Sequence, residues 1–344
     1  MAYTTINKST DYFNTKLYTG NSGTQAITGV GFQPDFIWNK QRNGTNSHYL
    51  FNAITGTGKF LKSNSTDAEG TNTDTVTSFD SDGFTLGSAA GNNGSGNTMA
   101  SWNWKAGTGQ GSSNTDGSIN TTYTSVNTTA GFSISTYTGT GSNATVGHGL
   151  GSVPKMIIVK RTSATDVWRV YHGSIGATKH LVLNTTAGDA SGSNVWNDTA
   201  PTSSVFSIST DSAVNASGAT YVAYCFAEKT GYSKFGSYVG NGNADGTFVY
   251  TGFKPAFVIV KCTSTTGNNW VMIDNKRLGY NVDNNRIYAD LSNAEDTTDV
   301  VDLVSNGFKH RFTGGTSNGS GISYIYMAFG QSLVGSNNVP CTAR

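Results

Sequence analysis

Three stretches decide how this chain is read: GFQPDFIWNK at 31–40, GSVPKMIIVK at 151–160 and GFKPAFVIVK at 252–261. In each, a proline (Pro34, Pro154, Pro255) is followed six residues later by a lysine (Lys40, Lys160, Lys261). Upstream, Tyr18, Tyr137 and Tyr238 open YTGN, YTGT and YVGN; downstream, Gly96, Gly218 and Gly321 open the aromatic segments GNTMASWNW, GATYVAYCF and GISYIYMAF. Between them stand Gly83-Phe84 and Gly307-Phe308, with Val205-Phe206 at the equivalent place in the middle copy. Four landmarks at matching offsets make the chain three tandem copies of one unit. Its period is longer than the roughly 20–50 residues of solenoids and propeller blades, and suits a complete small domain.

The segment after each proline is almost continuously apolar, as in Met156-Ile157-Ile158-Val159, which places it in the middle of a sheet with both faces covered. Proline stands at its start, where a missing N–H costs least. The closing segment alternates: Tyr221, Ala223 and Cys225 face one way, and Val222, Tyr224 and Phe226 the other, with bulk on both sides. Gly, Thr, Ser and Asn make up nearly half of the 344 residues, while charged residues are only 12%. Strand formers and turn formers dominate. The expected fold is all-β: three tandem β-sandwich (jelly-roll-like) domains over 1–106, 107–229 (linker plus second repeat) and 230–344 (third repeat with a C-terminal extension). Ile119, Tyr123 and Val126, in the linker, are placed to add an edge strand to the second unit.

A net charge of +1 argues against a nucleic-acid-binding face, and no apolar run approaches the roughly 18 residues of a membrane span. Cys225, Cys262 and Cys341 are too few and too scattered for a disulfide framework or a four-Cys zinc site. Cys225 reads as a packed small side chain and Cys262 as exposed. The histidines His48, His148, His172, His180 and His310 show no metal-ligand spacing and read as surface or strand-end residues. The acidic candidates for a glycosidase pair are Asp80, Asp82, Asp296, Asp299 and Asp302, with turns and solvated edges as the simpler reading. No catalytic residue, metal site or cofactor is called for.

Tyr49, Trp168 and Trp270 follow the repeat lysine by nine, eight and nine residues. An aromatic recurring in one frame is more often a core anchor than an exposed, sugar-stacking surface. The run Asp274-Asn275-Lys276-Arg277 is unique to the third copy, and such a polar run is more often a solvated loop than a binding loop. Trp168, Trp270, Asn275 and Arg277 are the candidate ligand-binding residues.

The segments YTGN…GFQPDFIW, YTGTGSNATVGHGLGSVPKMIIVK and FGSYVGNGNADGTFVYTGFKPAFVIVK…DNKR…SNGFK…SYIYMAFG resemble virion proteins of tailed bacteriophages, abundant in phages of marine bacteria and described as tail-fibre-like. The resemblance covers nearly the whole chain; the middle unit departs from it with GSVP in place of GFxP. It implies a non-enzymatic virion component exposed on the particle, with other tail or capsid proteins and a host-surface glycan or protein as partners, and a homotrimeric assembly. A capsid decoration or head fibre and a polysaccharide-degrading tailspike are the competing readings.

Overall fold

The computed structural model describes residues 4–277 and 285–332. Almost all regular structure is β, in antiparallel sheets arranged like sandwiches. The first copy contributes β1 (Phe13–Thr19), β2 (Gln25–Thr28), β3 (Phe36–Gln41), β4 (Tyr49–Asn52), β5 (Lys59–Phe60), β6 (Gly70–Thr71), β7 (Val76–Asp80), β8 (Gly83–Leu86) and β9 (Thr98–Trp104). The second contributes β10 (Tyr123–Asn127), β11 (Phe132–Thr138), β12 (Ala144–Gly147), β13 (Pro154–Arg161), β14 (Arg169–His172), β15 (Lys179–Val182), β16 (Ala190–Ser191), β17 (Val205–Ile208) and β18 (Thr220–Ala227). The third contributes β19 (Ser233–Val239), β20 (Phe248–Tyr250), β21 (Pro255–Cys262), β22 (Val271–Asp274), β23 (Ile287–Tyr288), β24 (Val301–Val304), β25 (Gly307–His310) and β26 (Ser323–Gly330).

The same pairings recur three times. The strand that follows each proline lies inside the larger sheet, in the orders β1-β9-β3-β4, β11-β18-β13-β14 and β19-β26-β21-β22. Pro154 and Pro255 open their strands, and the ladder shifts register just after each. A smaller sheet lies across each larger one: β2-β8-β7, β12-β17 and β20-β25-β24. The linker behaves as its apolar residues predict: β10 pairs with the edge of β11, and Ile119 bridges Val146.

Alternation along the central strands sends side chains into two kinds of core. Ile37, Tyr221, Ala223, Cys225, Val258 and Val260 point into the space between the two sheets of their own copy. Phe36, Trp38, Val222, Tyr224, Phe226, Phe257 and Ile259 point the other way, into one apolar cluster drawn from all three copies. The bulk on both strand faces is thus covered on one side by the copy's own small sheet and on the other by its neighbours. Aromatic rings fill the centre: Phe36 lies 4.4 Å from Tyr224, Phe13 stacks on Phe329 at 5.1 Å, and Trp104 meets Phe257 at 5.7 Å. Each such side chain removed from water contributes roughly 1.5–3 kcal/mol, so the three lobes hold one another as well as themselves.

The landmarks have local causes. Tyr18, Tyr137 and Tyr238 donate their hydroxyls to the carbonyls of Asn92, Val214 and Ser317. The glycine two residues on from each tyrosine abuts backbone: a Cβ on Gly20, Gly139 or Gly240 would stand 2.3–2.4 Å from a carbonyl oxygen of the opposing turn. The Gly-Phe landmark is a close strand approach, since a Cβ on Gly83 would meet the Ile27 carbonyl at 1.9 Å. In the middle copy the small residue sits on the other strand of the pair, where Gly147 faces Val205. That exchange explains why the landmark is missing there.

Three expectations are corrected. All five histidines are buried and none lies at the surface, while His172 and His310 do stand at strand ends, closing β14 and β25. Cys262 is also buried, because it continues the inward alternation of β21 to the strand's last residue. Tyr49 is not the frame partner of the tryptophans: the backbone N–H groups of His48, Trp168 and Trp270 are the ones that bond Asn64, Asn184 and Asp290. Cys341 and residues 333–344 of the C-terminal extension lie outside the described residues.

Candidate functional site

The frame position shared by His48, Trp168 and Trp270 joins the lobes. The Trp168 indole donates to the carbonyls of Lys62 and Ser65 in the first lobe, each at 3.1 Å. That of Trp270 donates to Val182 in the second at 3.0 Å. His48 reaches the Tyr288 carbonyl of the third lobe at 2.9 Å through Nε2, while its Nδ1 accepts from the Trp38 indole at 2.8 Å. These partners fix the neutral Nε2–H tautomer, and burial lowers the His48 pKa to about 3. Backbone repeats the cycle: Glu69 N–H to Thr162, Asp189 N–H to Thr263 and Glu295 N–H to Arg42. First meets second, second meets third and third meets first. The three lobes form a closed ring with pseudo-threefold character.

The run 274–277 lies at the third-to-first junction. Arg277 is fully buried; its Nε donates to Asp274 at 2.6 Å, and its other nitrogens to Glu295 at 3.1 Å and the Met272 carbonyl at 3.1 Å. The guanidinium stands 5.5 Å from the Trp102 ring of the first lobe, whose indole donates to Asp274 at 2.9 Å. Arg42 completes the network with two 2.9 Å bonds to Glu295. Burial raises the Glu295 carboxyl, but the Arg42 and Arg277 guanidinium groups outweigh it and bring its pKa to about 2. Asn275 is buried beside this network and donates its backbone N–H to Ala256. The four residues singled out as ligand contacts, Trp168, Trp270, Asn275 and Arg277, are therefore all buried. Three of them join lobes to one another, and none presents a face to solvent.

The repeat lysines have an equally internal task. Lys40 donates to the carbonyls of Gln41 and Gly44, Lys160 to Arg161 and Thr66, and Lys261 to Asn268. Burial lowers all three to about 8. An amine of that pKa is a nucleophile by chemistry, but these are enclosed and spent on loop carbonyls.

Among the described residues, the acidic candidates Asp80, Asp82, Asp296 and Asp302 are each held by partners of a structural kind. Asp82 caps the N–H groups of Gly29 and Gly31, which hold its pKa down. Asp80 accepts from Thr85, Asp296 pairs with Arg286 and Asp302 with Arg311. Asp35, which the sequence reading passed over, accepts from the N–H groups of Ala106, Thr108 and Gly109 and so ties the linker to the first lobe. Among the described residues no three His, Cys, Asp or Glu side chains converge to hold a metal ion. A cleft of about 460 Å³ opens between the second and third lobes, with the Lys179–Asp189 ion pair (2.9 Å) at its edge and Tyr238 and Tyr324 among its lining.

The surface feature that the sequence reading missed lies on β20. Phe248 and Tyr250 are 46% and 60% exposed, on the outward face of the third lobe's small sheet, while Val249 between them is buried. The signal was present in Thr-Phe-Val-Tyr-Thr at 247–251, whose alternation puts two aromatics on one face.

A family model described as a domain of unknown function, DUF7483, matches residues 8–332, which takes in all three lobes. The chain belongs to this family. No curated protein and no solved structure matches it.

Proposed function

We propose that this DUF7483 chain is a non-enzymatic structural component of a bacteriophage particle, a tail fibre or tail-associated appendage that contacts the host surface. The observation that carries this reading is the closed ring. Appendages of the group that the sequence resembles are commonly trimers, and here three lobes are already arranged cyclically within one polypeptide. Such a body is shaped to sit on a threefold neighbour, whether another virion protein or further copies of itself. Its polar, weakly charged exterior and its tightly bonded interior suit a particle surface. His48, His148 and His172, the repeat lysines and the frame tryptophans are used in holding lobes and loops together, which supports a role in presentation more than in catalysis.

Immunogold electron microscopy of intact virions with antibody to this chain tests the reading. Label at the tail, together with antibody blocking of adsorption, is the expected result. Label spread over the head would replace the tail assignment with a capsid decoration protein, and absence of label from the particle would sink both. Cleavage of host polysaccharide that is lost in D80N/D82N or D296N/D299N would instead favour the tailspike.

A further inference from the structure

The outer face of the third lobe differs from its two counterparts. Positions 248 and 250 match Ala26 and Thr28 in the first lobe and Thr145 and Gly147 in the second, aligned through Val249, Ile27 and Val146, which face Phe308, Phe84 and Phe206. Only the third lobe carries aromatics there. The rings stand two residues apart on one strand, about 7 Å along it. Tyr250 pairs with Gly307, which offers no side chain to cover it, and the Phe248 ring leans over the same glycine, its edge 3.1 Å from where a Cβ would be. The β20 strand is an edge strand, with no ladder partner on its other flank among the described residues.

We propose that Phe248 and Tyr250 form a carbohydrate-binding platform for an uncharged, hydroxyl-rich segment of a surface polysaccharide. Sugar rings present a face of weakly positive C–H groups, which suits the negative face of an aromatic ring. The charged groups nearby are balanced: Lys309 pairs with Asp245, and Arg311 with Asp302. That balance disfavours a polyanion, whereas polar groups around the rings suit hydroxyls; exposed Asn306 adjoins Gly307 in the turn beside Tyr250. At 46% and 60% exposure, the two rings offer on the order of 200 Å². A standard protein interface needs roughly 800 Å² per partner, so one or two sugar units fit this patch and a folded partner does not.

The proposal deepens the host-contact reading and rests on it only for the source of the glycan. The test uses the full chain, with two probes: polysaccharide extracted from the host envelope, and an array of neutral oligosaccharides. Wild type is expected to bind at least one probe, and F248A/Y250A to lose affinity at least tenfold with an unchanged melting temperature. A26F/T28Y, which copies the platform onto the first lobe, is expected to raise the number of glycan chains bound. Equal binding by wild type and F248A/Y250A, or no binding to either probe, overturns the proposal. So does sedimentation showing a wild-type oligomer that F248A/Y250A abolishes, since the patch would then be an interface between copies. Tail label without glycan binding leaves the appendage reading standing and this one fallen; aromatic-dependent binding without virion label does the reverse.

Discussion

The ring is closed at two kinds of junction. Between first and second lobes, and between second and third, the frame position joins neighbours by a neutral bond from an indole to a carbonyl, with the Lys160 amine also donating to Thr66 at the first of these. Between third and first, a smaller imidazole takes the indole's place and a buried network of Arg277, Asp274, Glu295 and Arg42 is added. The junctions also differ in connectivity. The second and third lobes are separated only by the short link between β18 and β19, while the whole second lobe intervenes between first and third. Closing that longer loop costs about 3 kcal/mol more, from the logarithmic dependence on loop length. Charge also selects: three similar lobe surfaces could mispair, and among the described residues only one junction offers a guanidinium to two carboxylates. A buried ion pair adds little net stability over well-packed apolar groups but is costly to break, which is the profile of a lock.

The largest expected effect therefore falls at the charged junction. Arg277→Ala leaves Asp274 and Glu295 without their shared cation and should cost about 3–5 kcal/mol in urea unfolding. It should also raise the fraction of dimers on gel filtration, as third lobes close onto a neighbouring chain. Replacing Asp274 and Arg277 together by Leu and Met should recover part of the loss. If R277A instead unfolds like wild type, the contrast between junctions has no energetic content.

At a neutral junction the expected loss is smaller. Trp270→Phe keeps the apolar volume in large part and strands the Val182 carbonyl, which costs about 1–3 kcal/mol. Trp168→Phe should fall in the same range. A loss as large as that of R277A would mean that the indole bonds, not the ions, hold the ring shut.

The repeats, the central strand and the two-faced closing strand were all legible in the sequence, because proline, glycine and alternation report on backbone geometry directly. The packing of lobes against one another was only half legible. Bulk on both faces of Tyr221–Phe226 demanded a cover, but a cover has no sequence of its own. His48 escaped the frame because histidine and tryptophan look unrelated until both are seen to donate a ring N–H to the same place on the next lobe. The adjacent Tyr49, larger and nearly in register, drew the alignment instead. A readable signal for the junctions did exist. Asn64, Asn184 and Asp290 each precede an acid by five residues (Glu69, Asp189, Glu295), and those acids supply the backbone bonds between lobes. Trp168, Trp270, Asn275 and Arg277 stand out in the sequence, but in a ring of lobes a buried group can serve a neighbour as readily as a ligand.

At pH 7 the smallest effect separates the third lobe from the other two and has the opposite sign. Three residues into β25, His310 occupies the place that Leu86 and Ile208 fill in the other small sheets. Its ring lies 4.7 Å from Tyr238 and 5.5 Å from Phe308, and neither ring nitrogen has a hydrogen-bond partner. An unsatisfied buried polar group costs about 1–3 kcal/mol, so His310→Leu should stabilise the fold by about 1 kcal/mol at pH 7. Burial lowers the His310 pKa to about 3, against about 6.5 in the unfolded chain. Because the unfolded state takes up the proton first, His310 withdraws stability as the pH falls from about 6.5 towards 3, by up to about 3 kcal/mol at pH 4. His48, at about 3, and His172, at about 4, act in the same direction, while Asp290, raised by burial to about 6, acts against them between pH 6 and 4. The H310L variant should therefore gain on wild type steadily as the solution is acidified, in melting curves taken from pH 7 to 4. A constant gap across that range would mean that His310 is protonated in the folded lobe, which requires a partner or a water that its apolar surroundings do not provide.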